Sequence, residues 1–151
     1  MPLTVRLGAV EDTPVVVEFN RLMALETENK VLDLAVLTPG VRSGLADPGK
    51  AIYFLAENDG QVMGQLMLTR EWSDWRNGWF WWIQSVYVRA EYRRLGVFRQ
   101  LYRHIHELAA RETDVVGLRL YVENENHAAQ AVYTDLGMTP IPFKFLQRRP
   151  R

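Results

Sequence analysis

The chain has 151 residues, with 18 basic side chains against 18 acidic, 48% hydrophobic and 24% charged residues, and no cysteine. These values match an average soluble globular domain and argue against disorder, collagen-like repeats and coiled coil, and one domain over residues 1–151 is expected. The missing cysteines exclude disulfides, thiolate metal sites, iron–sulfur clusters and a cysteine nucleophile, while the balanced charge argues against bulk nucleic-acid binding.

No apolar run approaches the ~20 residues that span a bilayer, and no signal-peptide pattern opens the chain. A cytoplasmic protein without a membrane partner is therefore expected. In chain order, Thr4 to Leu7 predicts a short strand. Thr13 as N-cap and Pro14 in the first turn predict a helix to about Glu26, with Val15, Phe19, Leu22 and Met23 at helical spacing. Pro39 to Ala46 reads as a second, short helix. Ala51 to Ala56 and Gln61 to Leu68 read as strands around the turn Asn58-Asp59-Gly60. After a second turn, Asn77-Gly78, Trp79 to Val88 is apolar on both faces for much of its length. That pattern predicts a central strand with Trp79, Trp81 and Trp82 in the core. Arg94 to Arg111 predicts the major helix, with Val97, Leu101, Ile105 and Leu108 on its inner face. Val115 to Val122 is a strand, Asn126 to Leu136 a helix closed by Gly137, and Thr139 to Leu146 a last strand. The fold class is thus α/β (α+β).

Charge is unevenly placed. Arg89 to Arg111 carries six arginines against two glutamates, whereas Val10 to Ala35 carries six acids against two bases. One region suits an anion and the other a cation, or both are solvated helix faces. His104 and His106 lie two apart on a helix, so they share no face, and no metal-ligand spacing occurs. Neither a Gly-x-Gly-x-x-Gly nor a phosphate-loop Gly-Lys-Ser/Thr is present.

The informative stretch is Val86-Tyr-Val-Arg-Ala-Glu-Tyr-Arg-Arg-Leu-Gly-Val-Phe98. A strand ends near Val88, an arginine-rich loop follows, and a helix begins within Arg94 to Gly96. The first amides of a helix lack intrahelical partners and carry positive partial charge, so they form a natural anion site. Gly96 lets a phosphate approach the backbone, and Arg93, Arg94 and Arg99 are placed to neutralise it. An ordinary surface helix start has the same outline.

Arg93-x-x-Gly96-x-Phe98 resembles the Arg/Gln-x-x-Gly-x-Gly/Ala signature of the GNAT superfamily of acyl-CoA N-acyltransferases, with Val86-Tyr87-Val88 and Tyr92 in its context. Leu120-Tyr-Val122, Asn126, Ala129, Tyr133, Gly137 and Met138 resemble the superfamily's second motif. Both occur in the expected order and separation, and the order of predicted elements matches that fold over nearly the whole chain. Phe98 stands where glycine or alanine is usual, and Met138 where phenylalanine is usual. Glu71-Trp-Ser-Asp-Trp-Arg76 and Trp82-Ile-Gln-Ser-Val86 also resemble a bacterial subgroup of this superfamily, whose acceptor is unassigned.

The resemblance implies a mixed, mostly antiparallel twisted sheet flanked by helices, with a splayed parallel strand pair. It implies acetyl-CoA as cosubstrate, no metal, and an amine acceptor attacking the thioester directly; the alternative is a catalytically idle CoA-binding or sensing module. Without cysteine no acyl-cysteine relay exists. The implied CoA contacts are Val86, Tyr87, Val88, Arg93, Arg94, Leu95, Gly96, Val97, Phe98, Arg99, Asn126 and Tyr133. Backbone groups of Val86 and Val88 would hold the pantetheine arm and the acyl carbonyl. Tyr133 would assist the departing thiolate, although its place on a helical face with Ala129, Val132 and Leu136 also fits a packed core tyrosine. Asn126 fits a helix N-cap equally well. A lysine-like amine of pKa ~10.4 costs about 4 to 5 kcal/mol to deprotonate at pH 7, so a base or desolvation is required. Glu26, ending the inner stripe of the first helix, is the candidate base. Glu26, Glu28, Trp72, Trp75 and Gln84 are candidate acceptor contacts, and association into a homodimer is left open.

Overall fold

The computed structural model describes residues 2–151, and the chain divides into two compact units, Met1–Leu120 and Tyr121–Arg151. The first unit contains a five-stranded sheet: β1 (Thr4–Leu7), β2 (Ile52–Asn58), β3 (Gln61–Ser73), β4 (Gly78–Val88) and β5 (Val115–Arg119), lying side by side in that order. β1 to β4 pair antiparallel, and β4 pairs parallel with β5. Three helices belong to this unit: α1 (Thr13–Glu28), α2 (Leu34–Ala46) and α3 (Val97–Arg111).

Helix α1 starts where expected, but Asp12 rather than Thr13 is the residue before it. Asp12 accepts both Arg6 Nη1 and Nη2 at 2.9 Å, which lowers its carboxyl pKa and ties the helix start to β1. Asn29, left-handed at φ 50°, ends the helix. Helix α2 begins five residues before the expected Pro39, because the Asp33 side chain caps it by accepting the Ala35 amide at 2.9 Å. Pro39 lies inside this helix, where it removes one backbone bond without ending it.

Asp59 and Gly60, at φ 50° and 75°, form the tight turn between β2 and β3, in line with the Asn-Asp-Gly signal. β3 runs on to Ser73, five residues past the expected end. Val16, Val41, Tyr53 and Leu55 form the core on the sheet face covered by α1 and α2, with Met67 packed against them. Each fully buried side chain of this kind contributes roughly 1.5–3 kcal/mol. The opposite face carries α3, where the Phe54 ring meets His104 edge-on at 5.5 Å and Val97, Leu101 and Ile105 are buried.

Two expectations are corrected. Trp79, Trp81 and Trp82 are half-buried, and Phe80, Ile83 and Tyr87 are the buried residues of that stretch. Arginines lie over this part of the sheet: Arg70 is 4.7 Å over Trp79, and Arg119 is 3.5 Å over Phe80. The expected strand Thr139 to Leu146 does not form, since those residues are irregular. Pro140 and Pro142 each lack the amide that a ladder needs.

The second unit contains α4 (His127–Asp135). Asn126 caps it, its Oδ1 accepting the Ala129 amide at 3.2 Å. Gly137 at φ 92° turns the chain out of the helix, and the Met138 amide returns to the Tyr133 carbonyl at 3.0 Å.

Candidate active site

The central feature is a fork between β4 and β5. Their parallel pairing ends at Trp82↔Arg119, so β4 continues from Ile83 to Val88 without a β5 partner. Just beyond the last pair, the register against β3 slips. Gln65 faces Tyr87 and Met67 faces Gln84, so Ser85 and Val86 of β4 share one opposing residue, Leu66. Ser85 has φ 51°, a left-handed conformation that costs a non-glycine residue of order 1–2 kcal/mol. A bulge of this kind re-aims backbone groups out of the ladder.

Gln65 holds the bulge in place. It is fully buried, and its Nε2 donates to the Ser85 carbonyl at 2.9 Å. Its Oε1 is buried with no hydrogen-bond partner among the described residues. A buried unpaired amide oxygen costs about 1–3 kcal/mol, so this position carries a stability penalty that leucine would avoid. Sequence reading did not single out Gln65. The available signal was one polar residue at an inward position within Val62-Met-Gly-Gln-Leu-Met.

Beyond β4 the chain forms a 3-10 turn at Ala90–Tyr92 and then enters α3 through two left-handed residues, Arg94 (φ 66°) and Gly96 (φ 78°). This conformation excludes the expected helix start at Arg94. Gly96 is the N-cap, and the first backbone bond of the helix runs from the Gln100 amide to the Gly96 carbonyl at 3.0 Å. The amides of Val97, Phe98 and Arg99 therefore precede that ladder and collect at one end of a 15-residue helix. A Cβ added at Gly96 would meet nothing within 4 Å, so the space beside these amides is open. Arg94 and Leu95 are exposed, and the Phe98 ring packs 6.2 Å from Tyr102, one turn along the helix. Val97 is buried and faces Gly64, where a Cβ would come within 2.9 Å of the Tyr87 carbonyl. Only glycine at position 64 allows α3 and β4 to approach this closely.

Arg93 is engaged elsewhere. Its Nε donates to the Val88 carbonyl at 2.9 Å, and its Nη2 donates to Glu26 Oε1 at 2.5 Å. The Tyr87 hydroxyl donates to the other oxygen, Glu26 Oε2, also at 2.5 Å. The end of α1 is thereby joined to β4 and to the loop before α3. The Tyr87 bond, reinforced by Arg93, holds the Glu26 carboxyl below its ordinary pKa. Tyr87 is pushed up to about 12, first by burial and then by the neighbouring carboxylate. An ionised carboxylate with both oxygens accepting strong hydrogen bonds suits orientation better than proton abstraction.

On the same sheet face as Tyr87, the cross-strand register aligns Gln84, Trp82 and Phe80 of β4 with Met67, Thr69 and Glu71 of β3. Gln84 Nε2 donates to Thr69 Oγ1. Glu71 Oε1 accepts the Trp82 indole at 2.8 Å and Arg119 Nη1 at 3.2 Å. Among the expected acceptor contacts, Glu26 and Gln84 thus share a face. Trp72 alternates to the opposite face, edge-on to Trp79 at 4.9 Å, and Trp75 sits 91% exposed in the turn before β4. Glu28 is exposed at the last residue of α1.

In the second unit Tyr133 is half-buried, and desolvation raises its pKa, so the phenol is neutral at physiological pH. Among the described residues no cluster of histidine and carboxylate side chains could hold a metal ion, and no helix is long and apolar enough to cross a membrane.

A family model described as the acetyltransferase (GNAT) family matches residues 19–138. A solved structure from Clostridium difficile 630, described as a possible acetyltransferase, is 42% identical, with a TM-score of 0.93 over 99% of this chain and 98% of that one. A predicted acetyltransferase with acetyl-CoA from Clostridium acetobutylicum is 16% identical, with a TM-score of 0.80 over 98% of this chain and 96% of that one. A ribosomal-protein-alanine N-acetyltransferase from Brucella melitensis biovar Abortus 2308 is 14% identical, with a TM-score of 0.80 over 98% and 99%. The last two likenesses concern the fold alone. No curated protein sequence matches significantly. With the forked parallel pair, the bulge and the open helix N-terminus in place, the family match over most of its length makes this chain a member of the GNAT acetyltransferase family.

Proposed function

We propose that the protein transfers an acetyl group from acetyl-CoA to a primary amine by direct attack in a ternary complex. The observation that carries this reading is the helix start at Gly96, whose open side and first-turn amides, which precede the backbone ladder, fit a diphosphate. Arg94 and Arg99 supply positive charge there, whereas Arg93 positions the loop through Val88 and Glu26. Phe98 turned toward Tyr102 is compatible with this site. Amide formation joins nitrogen to the acyl carbon as the carbon–sulfur bond breaks, so one proton leaves the amine and one returns to sulfur. Backbone groups at Val86 and Val88 are the proposed partners of the pantetheine arm and the acyl oxygen, in a segment freed from β5. Asn126 and Tyr133 are carried over from the second motif. A neutral Tyr133 phenol is suited to donate a hydrogen bond to a leaving thiolate.

A cytoplasmic location follows from the expected use of acetyl-CoA. Thiol release from acetyl-CoA over a panel of amino acids, polyamines, aminoglycosides and peptides tests the reading. Turnover with at least one amine supports it, and tight CoA binding without turnover on any amine would favour the idle CoA-binding module.

Gln65 offers a second check. Gln65→Leu removes the donor to Ser85 but also removes the unpaired oxygen. The melting temperature is therefore expected to stay within about 3 °C or to rise. Turnover should fall about tenfold as the bulge loses its anchor. Unchanged turnover would make Gln65 a packing residue only.

A further inference from the structure

We propose that Arg119 binds a carboxylate on the acceptor, so that the preferred substrate is an amino acid or similar molecule carrying both an amine and an acid. This rests on the transferase reading above and assigns the substrate class of the same site. Arg119 belongs to the last β4–β5 pair, at the crotch of the fork. Its side chain is 21% exposed, and its guanidinium lies 3.5 Å over the Phe80 ring. Planar stacking of this kind fixes the donor fork in one orientation. Its hydrogen bond within the protein is the one from Nη1 to Glu71 Oε1 at 3.2 Å, which leaves the other donors without a protein acceptor among the described residues. Desolvated donors of a fixed guanidinium are what bidentate carboxylate recognition requires.

The charge around Phe80 is also uneven. A second guanidinium, Arg76, lies 5.1 Å over the same ring and donates to Ser73 Oγ at 3.2 Å. Glu71 is the carboxylate paired at this place, and Asp74 in the nearby turn forms no ion pair among the described residues. Two cations therefore flank the Phe80 ring, and of the two Arg119 is the one paired with Glu71. Trp82 constrains Glu71 through its indole, so that the carboxylate is held toward Arg119.

Position sets the length of the acceptor. The guanidinium lies over Phe80, five residue steps along β4 from the bulge at Ser85. At roughly 3.3 Å per residue this is about 16 Å, a span that favours a distal amine over an α-amine. A purely structural role, tying the edge strand β5 to Glu71 of β3, makes a different prediction, because it would affect every acceptor equally.

The test crosses two acceptor pairs, L-lysine with cadaverine and 6-aminohexanoate with 1-aminohexane, against the parent and Arg119→Gln proteins, with Arg119→Lys as the conservative variant. Binding to the CoA-saturated protein is measured by calorimetry alongside acetylation. The carboxylated member should bind at least about 30-fold more tightly than its counterpart in the parent, and Arg119→Gln should remove that preference. Arg119→Lys should restore part of it, with CoA affinity and melting temperature unchanged. Equal binding of the paired ligands by the parent protein would overturn the proposal even if amines are acetylated. Equal loss for all four ligands in Arg119→Gln, with a lowered melting temperature, would likewise overturn it. Selective binding of the carboxylated ligands without acetylation would leave Arg119 as the carboxylate site and remove the transferase reading instead.

Discussion

Replacing Gly96 by glutamate is expected to weaken CoA binding about 100-fold or more, equivalent to roughly 2.7 kcal/mol, while the protein remains folded. The space beside Gly96 is open, so the new side chain displaces nothing. Its carboxylate would stand at the positive end of α3, against the proposed phosphates, where like charges repel at short range in a partly desolvated setting. The backbone there has φ 78°, so a glutamate side chain also adds about 1–2 kcal/mol of strain. Gly96→Asn separates the two effects, because asparagine tolerates this conformation and adds no charge. Calorimetry should show near-parental CoA affinity for the asparagine variant and none measurable for glutamate. Equal affinities in the two variants would place the diphosphate elsewhere.

The second large effect is expected for Tyr133→Phe. Loss of a hydrogen bond to a developing thiolate should lower turnover about 10-fold to 100-fold, within the range typical of positioned proton donors. A phenol near pKa 10 donating to a thiol near 8.5 makes complete proton transfer uphill by roughly 2 kcal/mol, and the raised Tyr133 pKa increases that deficit. Stabilisation through a hydrogen bond is the easier role. CoA affinity should change by less than about twofold, because a neutral hydroxyl contributes little to ground-state binding. Full activity in the phenylalanine variant would make Tyr133 a packing residue.

Local signals were legible wherever chemistry and geometry are local. Asp59-Gly60 took the two left-handed turn positions, Asn126 capped α4, and Gly96 occupied a left-handed N-cap beside open space. Helix α2 was harder to read because Pro39 resembles a helix start, whereas the actual start depends on one side chain, Asp33. The apolar run Trp79 to Val88 implied burial on both faces. Trp79 and Trp82 instead lie under Arg70 of β3 and Arg119 of β5, partners 9 and 37 positions away that periodicity does not identify.

The candidate site divides in the same way. The helix start and its preceding strand lie within one continuous stretch, so a motif could find them. Glu26, Tyr87 and Arg93 are brought together only by α1 packing on β4, with Glu26 and Arg93 separated by 67 positions. That contact also gives Arg93, named by the motif, a second set of partners in Glu26 and the Val88 carbonyl. Gln65 and Arg119 acquire meaning only from register, the first opposite a bulge and the second at the end of a parallel ladder.

The most direct test is a crystal structure of the protein with acetyl-CoA. Its diphosphate oxygens should lie within hydrogen-bonding reach of the amides at the start of α3, from Val97 to Arg99, with the pantetheine arm in the fork beside Val86 and Val88. A complex in which the diphosphate contacts neither this helix start nor its arginines would contradict the account.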